Sequence, residues 1–262
     1  MNGTVIAGIK PGLRVLVTAA AQGIGKVIAD RFLAHGARVY VCDIDAKALE
    51  RYLRATPKAI GMVVDVADEV EVDRMFDDLI AKWGGLDLLV NNAGIAGPTA
   101  HVEDIAPADW RRTLDVNMTS HFYCTRRATP LLKATSEGAI INLSSVAGRL
   151  GFVNRLPYAA TKWAVVGMTA SLAKELGPFG IRVNAILPGV VEGDRIERVF
   201  AAEAKLSGTS VEAERKKSLT KVSLRRTVSP EDIANMALFL AAPAGRNISG
   251  QALSVCGNVE TL

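Results

Sequence analysis

Short apolar runs alternate with longer amphipathic stretches along this chain, and this alternation is the feature that most constrains its fold. Runs such as RVLVT at 14–18 have the length and β-branched content of buried strands. We predict strands at 14–18, 38–42, 59–64, 86–90, 139–143, 182–187 and 252–255. We predict helices at 25–35, 46–54, 69–83, 158–176 and 231–240, with one or two more at 107–133. The alternation favours an α/β fold, a doubly wound parallel sheet with helices on both faces.

The composition is that of a globular protein with its own core. The 262 residues are 49% hydrophobic and 22% charged, which excludes a disordered chain, a coiled coil and a disulfide scaffold. The sequence has no internal repeat and no linker rich in Pro, Gly or Ser. We therefore expect residues 1–262 to form a single domain.

Cysteine usage and hydropathy indicate a cytoplasmic protein. The three cysteines are scattered without a CxxC pair, at Cys42, Cys124 and Cys256, which is typical of free thiols in a reducing compartment. No apolar run reaches the length of a membrane span, and the first ten residues do not resemble a signal peptide. We expect no membrane partner.

Charge and histidine content argue against two further kinds of site. The net charge of +4 is mildly basic and too small to establish nucleic-acid binding, so we expect no nucleic-acid partner. The histidines at 35, 101 and 121 are isolated, and no cluster has metal-ligand spacing. We expect no catalytic metal.

The turn after the first strand carries the first chemical signal. It begins at Thr18 and ends Gln22-Gly23-Ile24-Gly25. Glycines between a strand and a helix let the backbone approach a pyrophosphate at the helix N-terminus. Small residues also occur in such turns for packing, so this turn alone does not establish nucleotide binding.

An acidic residue follows at the end of the second strand. Asp43 lies 18 residues after Gly25, where an acid bonds the ribose 2′-hydroxyl and repels a 2′-phosphate. No Arg or Lys precedes Gly23 in the turn, and Ile44 follows Asp43. These features favour NAD over NADP, although Asp43 could instead be a turn residue or cap the next helix.

Polar and small residues also follow the third and fourth predicted strands. Asp65-Val66 follows one strand, and Asn91 to Gly94 (NNAG) follows the next. Because ligands bind at the carboxyl ends of parallel strands, these segments are candidates for cofactor contact. Asn91 could also simply close a turn.

Three residues suggest acid–base catalysis. Tyr158 and Lys162 stand four apart on a predicted helix and therefore share one face. A nearby ammonium group lowers a tyrosine pKa toward the useful range. Ser145, just beyond the strand at 139–143, could hold a substrate oxygen on which charge develops. Taken singly, Tyr158 could be an amphipathic anchor and Lys162 a solvated cation.

Over essentially its whole length the chain resembles the short-chain dehydrogenase/reductase family. The matching motifs are Gly23-Ile24-Gly25, Asp65, Asn91-Asn92-Ala93-Gly94, Asn117, Ser145, Tyr158-Ala-Ala-Thr-Lys162 and Pro188-Gly189. The resemblance implies a single Rossmann-like domain of about seven parallel strands. It also implies a homotetramer or dimer with the helices at 107–133 and 158–176 in the interfaces.

The resemblance further implies which residues act. The catalytic tetrad would be Asn117, Ser145, Tyr158 and Lys162, with Tyr158 as acid or base and Asn117 holding Lys162 through a water. Cofactor contacts would come from Thr18, Gln22, Gly23, Ile24, Gly25, Asp43, Asp65, Val66, Asn92, Ala93, Gly94, Tyr158, Lys162, Pro188, Gly189 and Val191.

Two positions depart from the family pattern. Ala19 stands where the family usually has glycine, so we expect either a negative φ at this residue or a slightly remodelled turn that still binds the cofactor. Gly193 stands where the family usually has a threonine that holds the nicotinamide amide. That contact would then come from another side chain or from backbone, with Val191 as the candidate.

Substrate contacts are the least constrained part of the sequence. The family builds its pocket from segments that here contain Ser145, Ala147, Asn154, Arg155, Glu192 and Arg195. Arg155 could pair with a carboxylate, sulfonate or phosphate, or could be an exposed loop arginine. Glu192 could bond polyol hydroxyls or lie on the surface.

The basic excess lies in one segment, 193–226, which the family uses as a substrate lid. It holds nine basic and five acidic residues, which accounts for the whole net charge of +4. We predict only weak helical character here. The segment could be a solvated helix pair, or a mobile lid whose field draws anionic substrates.

Three functions remain open from the sequence. The first is an NAD-dependent dehydrogenase of a small secondary alcohol, such as a sugar, polyol or hydroxy acid. The second is a 3-oxoacyl thioester reductase, against which Asp43 argues because such enzymes usually use NADPH. The third is a nucleotide-binding regulator without turnover, against which the intact set of Ser145, Tyr158 and Lys162 argues.

Overall fold

The strands form one parallel sheet. The computed structural model describes residues 8–135 and 137–259, and these contain a seven-stranded sheet in the order β3-β2-β1-β4-β5-β6-β7. Its strands are β1 (Arg14–Thr18), β2 (Arg38–Asp43), β3 (Ala59–Val63), β4 (Leu88–Asn91), β5 (Ala139–Leu143), β6 (Arg182–Pro188) and β7 (Ala252–Val255). Every adjacent pair is parallel. The predicted α/β class and strand number are confirmed.

Helices connect the strands. They are α1 (Gly23–Ala34), α2 (Ala46–Ala55), α3 (Glu69–Trp83), α4 (Pro107–Leu114), α5 (Ser120–Lys133), α6 (Leu156–Leu176), α7 (Asp194–Ser207), α8 (Val211–Thr220) and α9 (Pro230–Ala241). Most ends fall within two residues of the sequence prediction. The stretch 107–133 is not one helix, because a π-helical turn at Asp115–Thr119 separates α4 from α5.

Alternate side chains of each strand reach two separate cores. Val15 and Val17 of β1 pack with Ile28 and Phe32 of α1 on one face. Leu16, between them, packs into the other core with side chains of α3 and α5. Both faces of the sheet are therefore covered by helices, as the apolar strands predict.

The order of the strands creates a crevice above β1 and β4. The chain runs outward from β1 to β3, then returns to place β4 on the other side of β1. The connections that leave β1 and β4 diverge at this point, and open α/β sheets bind ligands in such a crevice. The residues that follow β1, β4 and β5 all lie at this edge.

The basic segment 193–226 is more regular than its sequence predicts. It forms α7, which ends at Gly208 in the left-handed conformation, and α8, whose Ser210 side chain accepts a hydrogen bond from the Ala213 N–H at 3.1 Å. A parallel bridge between Val191 and Val228 joins the two ends of the segment. The segment is a helix pair.

Candidate active site

The π-helical turn directs Asn117 into the interior. Its side-chain oxygen accepts the Ile95 N–H at 2.7 Å, and its amide donates to the Ile95 carbonyl at 3.0 Å and to Thr161 Oγ1 at 3.2 Å. π-helical turns are frequent at functional sites. Asn117 thus joins the loop after β4 to the residue that precedes Lys162 on α6.

Lys162 is buried between α6 and the end of β5. Its ammonium group donates to the Leu143 carbonyl at 2.8 Å and lies 5.7 Å from the ring centroid of Tyr158. Burial lowers the pKa of Lys162 to about 8, although the negative charge of the Tyr158 phenolate opposes this shift. The lysine is held where its charge acts on the tyrosine.

Tyr158 has the electrostatic surroundings of an acid–base group. Burial, the largest single cause, would raise its pKa. The charges of Arg195 and Lys162, the hydrogen bond of Ser145 and the charge of Arg155 together outweigh burial. The net effect lowers the pKa of Tyr158 from its ordinary value of 10. A phenol shifted in this direction is a better base near neutral pH.

Ser145 lies at the carboxyl end of β5 and points toward the same space. Its Oγ accepts the Ala147 N–H at 3.1 Å, which fixes the side chain and leaves the hydroxyl hydrogen to donate elsewhere. The neighbouring Ser144 hydroxyl donates to the Lys162 carbonyl at 2.8 Å. The strand end and α6 are therefore tied together beside the predicted catalytic residues.

The glycine turn after β1 fits a phosphate group. Gly23 has a φ of 59°, and a Cβ placed there would meet open space. The N-terminal turn of α1 contains no acidic residue, and no side chain caps it. Gly25 is needed for packing, since a Cβ would lie 2.5 Å from the Ala19 carbonyl oxygen. Uncapped N–H groups facing open space suit an anion.

Ala19 retains the left-handed conformation that glycine would adopt. Its φ is 50°, so the alternative of a negative φ is wrong. The conformation costs a non-glycine residue about 1–2 kcal/mol. Asn92 holds the turn from β4, because its side-chain amide donates to the Thr18 and Ala19 carbonyls at 2.9 and 3.0 Å.

Asp43 occupies the end of β2 beside this turn. Its carboxylate accepts the Ala21 N–H and the Asp45 N–H, each at 3.1 Å. The side chain that caps α2 is Asp45, which accepts the Ala48 N–H. Asp43 therefore does not cap α2, but its bond from the Asp45 N–H is that of a turn residue, and its carboxylate lies next to the glycine turn.

Asp65 and Val66 follow β3 at the same edge of the sheet. Asp65 accepts the Ala67 N–H at 3.0 Å and pairs with Arg112 at 2.9 Å. Val66 is buried. Asp65 is thus fixed in position by groups of the protein itself.

The segment after β4 is tied to the end of β1. The Thr18 hydroxyl accepts the N–H groups of Asn92 and Ala93, both at 3.0 Å. A Cβ on Gly94 would lie 3.4 Å from Lys162 Nζ. Gly94 therefore lies beside Lys162, and the Thr18 hydroxyl fixes the two residues that precede Gly94. Asn91 donates to Asn142 within the sheet interior and does more than close a turn.

The segment after β6 contains the second departure from the family pattern. Pro188 ends β6, and a Cβ on Gly189 would lie 2.7 Å from Cys256 Cα. The bridge at Val191 uses the Val190 carbonyl and the Glu192 N–H, so the N–H and carbonyl of Val191 point the other way. Gly193 has a φ of 128°, which disfavours threonine at this position.

The predicted substrate residues differ in burial. Arg155 is buried, so the exposed-loop alternative for it is wrong. Ala147 is buried, while Arg195 is exposed and donates to the Gly94 carbonyl at 3.2 Å. Asn154 has a φ of 62°. Exposed Glu192 accepts a hydrogen bond from Thr227.

His121, which is isolated from the other histidines in the sequence, is buried near the site. It lies one turn after Asn117, and its Nε2 is 3.5 Å from the Ala93 carbonyl oxygen. Burial, helped by the charge of Lys162, lowers its pKa to about 3. His121 is thus a neutral group against the loop after β4, and its spacing from Asn117 is the signal that could have found it.

Residues 8–135 and 137–259 contain no group of three or more His, Cys, Asp or Glu placed to hold a metal ion. The three cysteines are buried free thiols. Among the same residues, no helix is both long and apolar enough to cross a membrane.

Comparison with known proteins agrees with this geometry. A family model described as enoyl-(acyl carrier protein) reductase matches residues 18–258. The chain belongs to the short-chain dehydrogenase/reductase family. It is 36% identical to a putative ketoacyl reductase of the granaticin polyketide synthase of Streptomyces violaceoruber, over 93% of this chain and 92% of that protein.

Two solved structures show the same fold with different cofactors. An actinorhodin polyketide ketoreductase with NADPH superposes with a TM-score of 0.91 at 32% identity, covering 96% of this chain and 98% of its own. An NAD⁺-bound xylitol dehydrogenase superposes with a TM-score of 0.91 at 29% identity, covering 95% of this chain and 99% of its own. The chain is a nicotinamide-dependent oxidoreductase by family, and these relatives leave its substrate and the choice of NAD or NADP open.

Proposed function

We propose that this protein is an NAD-dependent oxidoreductase that interconverts a small secondary alcohol and its carbonyl. The observation that carries the proposal is the position of buried Lys162, 5.7 Å from the Tyr158 ring centroid. Its charge, with the nearby arginines and the Ser145 hydroxyl, lowers the pKa of Tyr158. A non-catalytic nucleotide-binding regulator would have no use for this arrangement. The substrate would be of the sugar, polyol or hydroxy acid type.

In this proposal the chain's own residues handle the proton and the substrate oxygen. Tyr158 takes the hydroxyl proton during oxidation and returns it during reduction. Ser145 donates a hydrogen bond to the substrate oxygen as charge develops there. Lys162 stabilises the phenolate of Tyr158, and Asn117 positions the backbone around Lys162. The bound nicotinamide would supply the hydride chemistry.

The preference for NAD rests on Asp43. Its carboxylate lies at the end of β2, held by two backbone N–H groups beside the glycine turn. A carboxylate there would bond the hydroxyls of an adenosine ribose and repel a 2′-phosphate. The uncapped N-terminus of α1 would receive the pyrophosphate, and Gly94, Gly189 and Val191 would border the nicotinamide.

We also propose a homotetramer or dimer, formed through α4, α5 and α6. Phe122 on α5 is 52% exposed and Trp163 on α6 is 53% exposed. Large apolar side chains exposed on helices are typical of subunit interfaces. Light scattering of the purified protein measures the assembly directly, and a monomer would contradict this part of the proposal.

A 3-oxoacyl thioester reductase is the second candidate. The ketoacyl reductase that is 36% identical to this chain favours it. Asp43 counts against it, because such reductases usually take NADPH. The two candidates therefore differ in cofactor as well as in substrate.

A panel assay separates the candidates. The purified protein would be incubated with secondary alcohols and NAD⁺ or NADP⁺, and with 3-oxoacyl thioesters and NADH or NADPH, following reduced cofactor by absorbance. Faster NADH formation from a small alcohol supports the first proposal. Turnover restricted to thioesters with NADPH would support the second and overturn the first.

A further inference from the structure

Two guanidinium groups lie against the ring of Tyr158. The Cζ atom of Arg155 is 4.9 Å from the ring centroid, and that of Arg195 is 5.7 Å away. They come from different elements, since Arg155 immediately precedes α6 and Arg195 is in the first turn of α7. One cation therefore approaches the tyrosine from the residue before α6 and the other from α7.

Arg155 is a buried cation with unused hydrogen-bonding capacity. It is only 6% exposed. Its Nη2 donates to the Ala96 carbonyl at 3.1 Å, and its Nε is buried without a partner among the described residues. A guanidinium carries five N–H donors, and leaving one buried and unpaired is costly. Burial also lowers the pKa of Arg155.

Arg195 is exposed at the mouth of the same cleft. Its Nη1 donates to the Gly94 carbonyl at 3.2 Å, and Gly94 borders Lys162. Within the described residues, neither Arg155 nor Arg195 has a carboxylate within 4.0 Å. Both cations are bound by backbone carbonyls, and neither forms a direct ion pair within the part of the chain that the structure describes.

The charge around Tyr158 is therefore strongly positive. Arg155, Arg195 and Lys162 all act on it. Glu203 on α7 is the acid that acts on Arg155, and burial raises the pKa of this glutamate. Three cations facing at most one carboxylate are expected to attract an anion.

We propose that Arg155 and Arg195 form a subsite for a carboxylate that the substrate carries close to its reacting carbon. The proposal rests on the proposed function, since it assumes that Tyr158 addresses the substrate oxygen. Planar guanidinium groups bind carboxylates through paired hydrogen bonds. The substrate class is then a short hydroxy acid and its oxo acid.

The distances favour a short substrate. Both guanidinium groups lie within 5.7 Å of the tyrosine ring centroid, so a carboxylate bound to them would lie within a few bonds of the carbinol. The phosphate of a long carrier arm, many bonds from its reacting carbonyl, would not reach this subsite while the carbonyl is at Tyr158. A small hydroxy acid fits both positions at once.

A competing explanation is that the two arginines only lower the pKa of Tyr158. That effect acts on every substrate alike. A carboxylate subsite, in contrast, changes the ratio of activities on matched acidic and neutral substrates. The ratio is therefore the quantity to measure.

The test compares short α-, β- and γ-hydroxy carboxylates with the neutral carboxamides of the same carbon skeletons. For each pair, kcat/KM with NAD⁺ is measured for the wild type and for Arg195→Gln, Arg155→Gln and Arg198→Gln. Arg198 is an exposed arginine on the same helix and serves as the charge-matched control. Circular dichroism checks that Arg155→Gln folds. Because Arg195 is exposed, the test with Arg195→Gln stands even if Arg155→Gln does not fold.

We expect the wild type to prefer one of the acids over its amide by at least about tenfold. Arg195→Gln should lose most of this preference, while Arg198→Gln keeps it. Equal activity on acid and amide, or a preference unchanged in Arg195→Gln, would overturn the subsite. Turnover of neutral alcohols would still support the proposed function in that case.

A binding measurement keeps the subsite testable without turnover. Calorimetric titration of the NADH-saturated protein with hydroxy acids and their amides, which cannot react with the reduced cofactor, should show tighter binding of one acid in the wild type than in Arg195→Gln. Equal binding of acid and amide would overturn the subsite. Preferential acid binding without turnover of any alcohol would retain the subsite and contradict the proposed function.

Discussion

The ammonium nitrogen of Lys162 lies 5.7 Å from the ring centroid of Tyr158, one turn back along α6. The two residues share one helix face because they are four apart. The position of the ammonium group also depends on the Leu143 carbonyl at the end of β5, which accepts its hydrogen bond at 2.8 Å. The pair is therefore built by a helix and a neighbouring strand together. This geometry is the basis of the proposed acid–base chemistry.

The pH profile should report the pKa of Tyr158. Oxidation needs the phenolate, so kcat/KM for a neutral alcohol should rise with pH and level off below the ordinary tyrosine pKa of 10. Arg195→Gln removes the largest charge that lowers this pKa, so the rising limb should move to higher pH. Arg198→Gln should leave it in place. If kcat/KM of Arg195→Gln rose over the same pH range as that of the wild type, the effect of Arg195 on the pKa of Tyr158 would be contradicted.

Cofactor selectivity should depend on the charge of Asp43. Asp43→Asn keeps one oxygen that can accept the Ala21 N–H but removes the charge that would repel a 2′-phosphate. The ratio of kcat/KM for NAD⁺ to that for NADP⁺ should fall by about tenfold or more. Asp45→Asn, at the cap of α2, is the matched control and should leave the ratio unchanged. A wild-type preference for NADP⁺ would contradict this role of Asp43.

Replacing Ala19 by glycine should stabilise the protein. The φ of 50° costs alanine about 1–2 kcal/mol, and the added freedom of glycine in the unfolded chain offsets about 0.4–1 kcal/mol of the gain. Chemical denaturation should show a higher unfolding free energy for Ala19→Gly. Ala20→Gly, at a fully buried neighbour, should be destabilising. Equal destabilisation by both variants would show that Ala19 is not strained.

A partly buried ion pair joins β1 to the start of β4. Arg14 donates to both carboxylate oxygens of Asp87 at 2.9 and 2.8 Å. Burial would raise the pKa of Asp87, but the bonds from Arg14 outweigh it and the net pKa is lowered. The stabilisation is therefore present above the unfolded carboxyl pKa and is lost as the pH falls through the folded pKa.

Arg14→Gln should lower the unfolding free energy by about 1–3 kcal/mol at neutral pH. The difference from the wild type should shrink in acid, as measured by urea denaturation across pH. Arg54→Gln, in an exposed pair with Glu50, should cost less than about 0.5 kcal/mol. A loss for Arg14→Gln that does not change with pH would contradict the ion pair.

The sequence predicted the sheet better than the site. β1, β5 and β7 were located to the residue, because strands buried on both faces are continuous apolar runs. The π-helical turn at Asp115–Thr119 was missed, since its sequence has no breaker and its geometry depends on the bonds of Asn117 to Ile95 and Thr161.

The burial of side chains in the site could not be predicted from the sequence either. Arg155 lies in a segment with Asn and Pro neighbours that favours an exposed loop. The fold instead buries its guanidinium group against the ring of Tyr158, where it donates to the Ala96 carbonyl. The φ values of Ala19 and Gly193 depend on contacts across the sheet. Such features require long-range packing that local patterns do not contain.

The most direct test of the account is the activity of Tyr158→Phe. The variant removes one oxygen atom and keeps the ring against Arg155 and Lys162. With the best alcohol found in the panel, NADH formation should fall by at least about a hundredfold, while fluorescence titration shows NADH binding close to that of the wild type. Undiminished turnover in Tyr158→Phe would contradict the proposed mechanism.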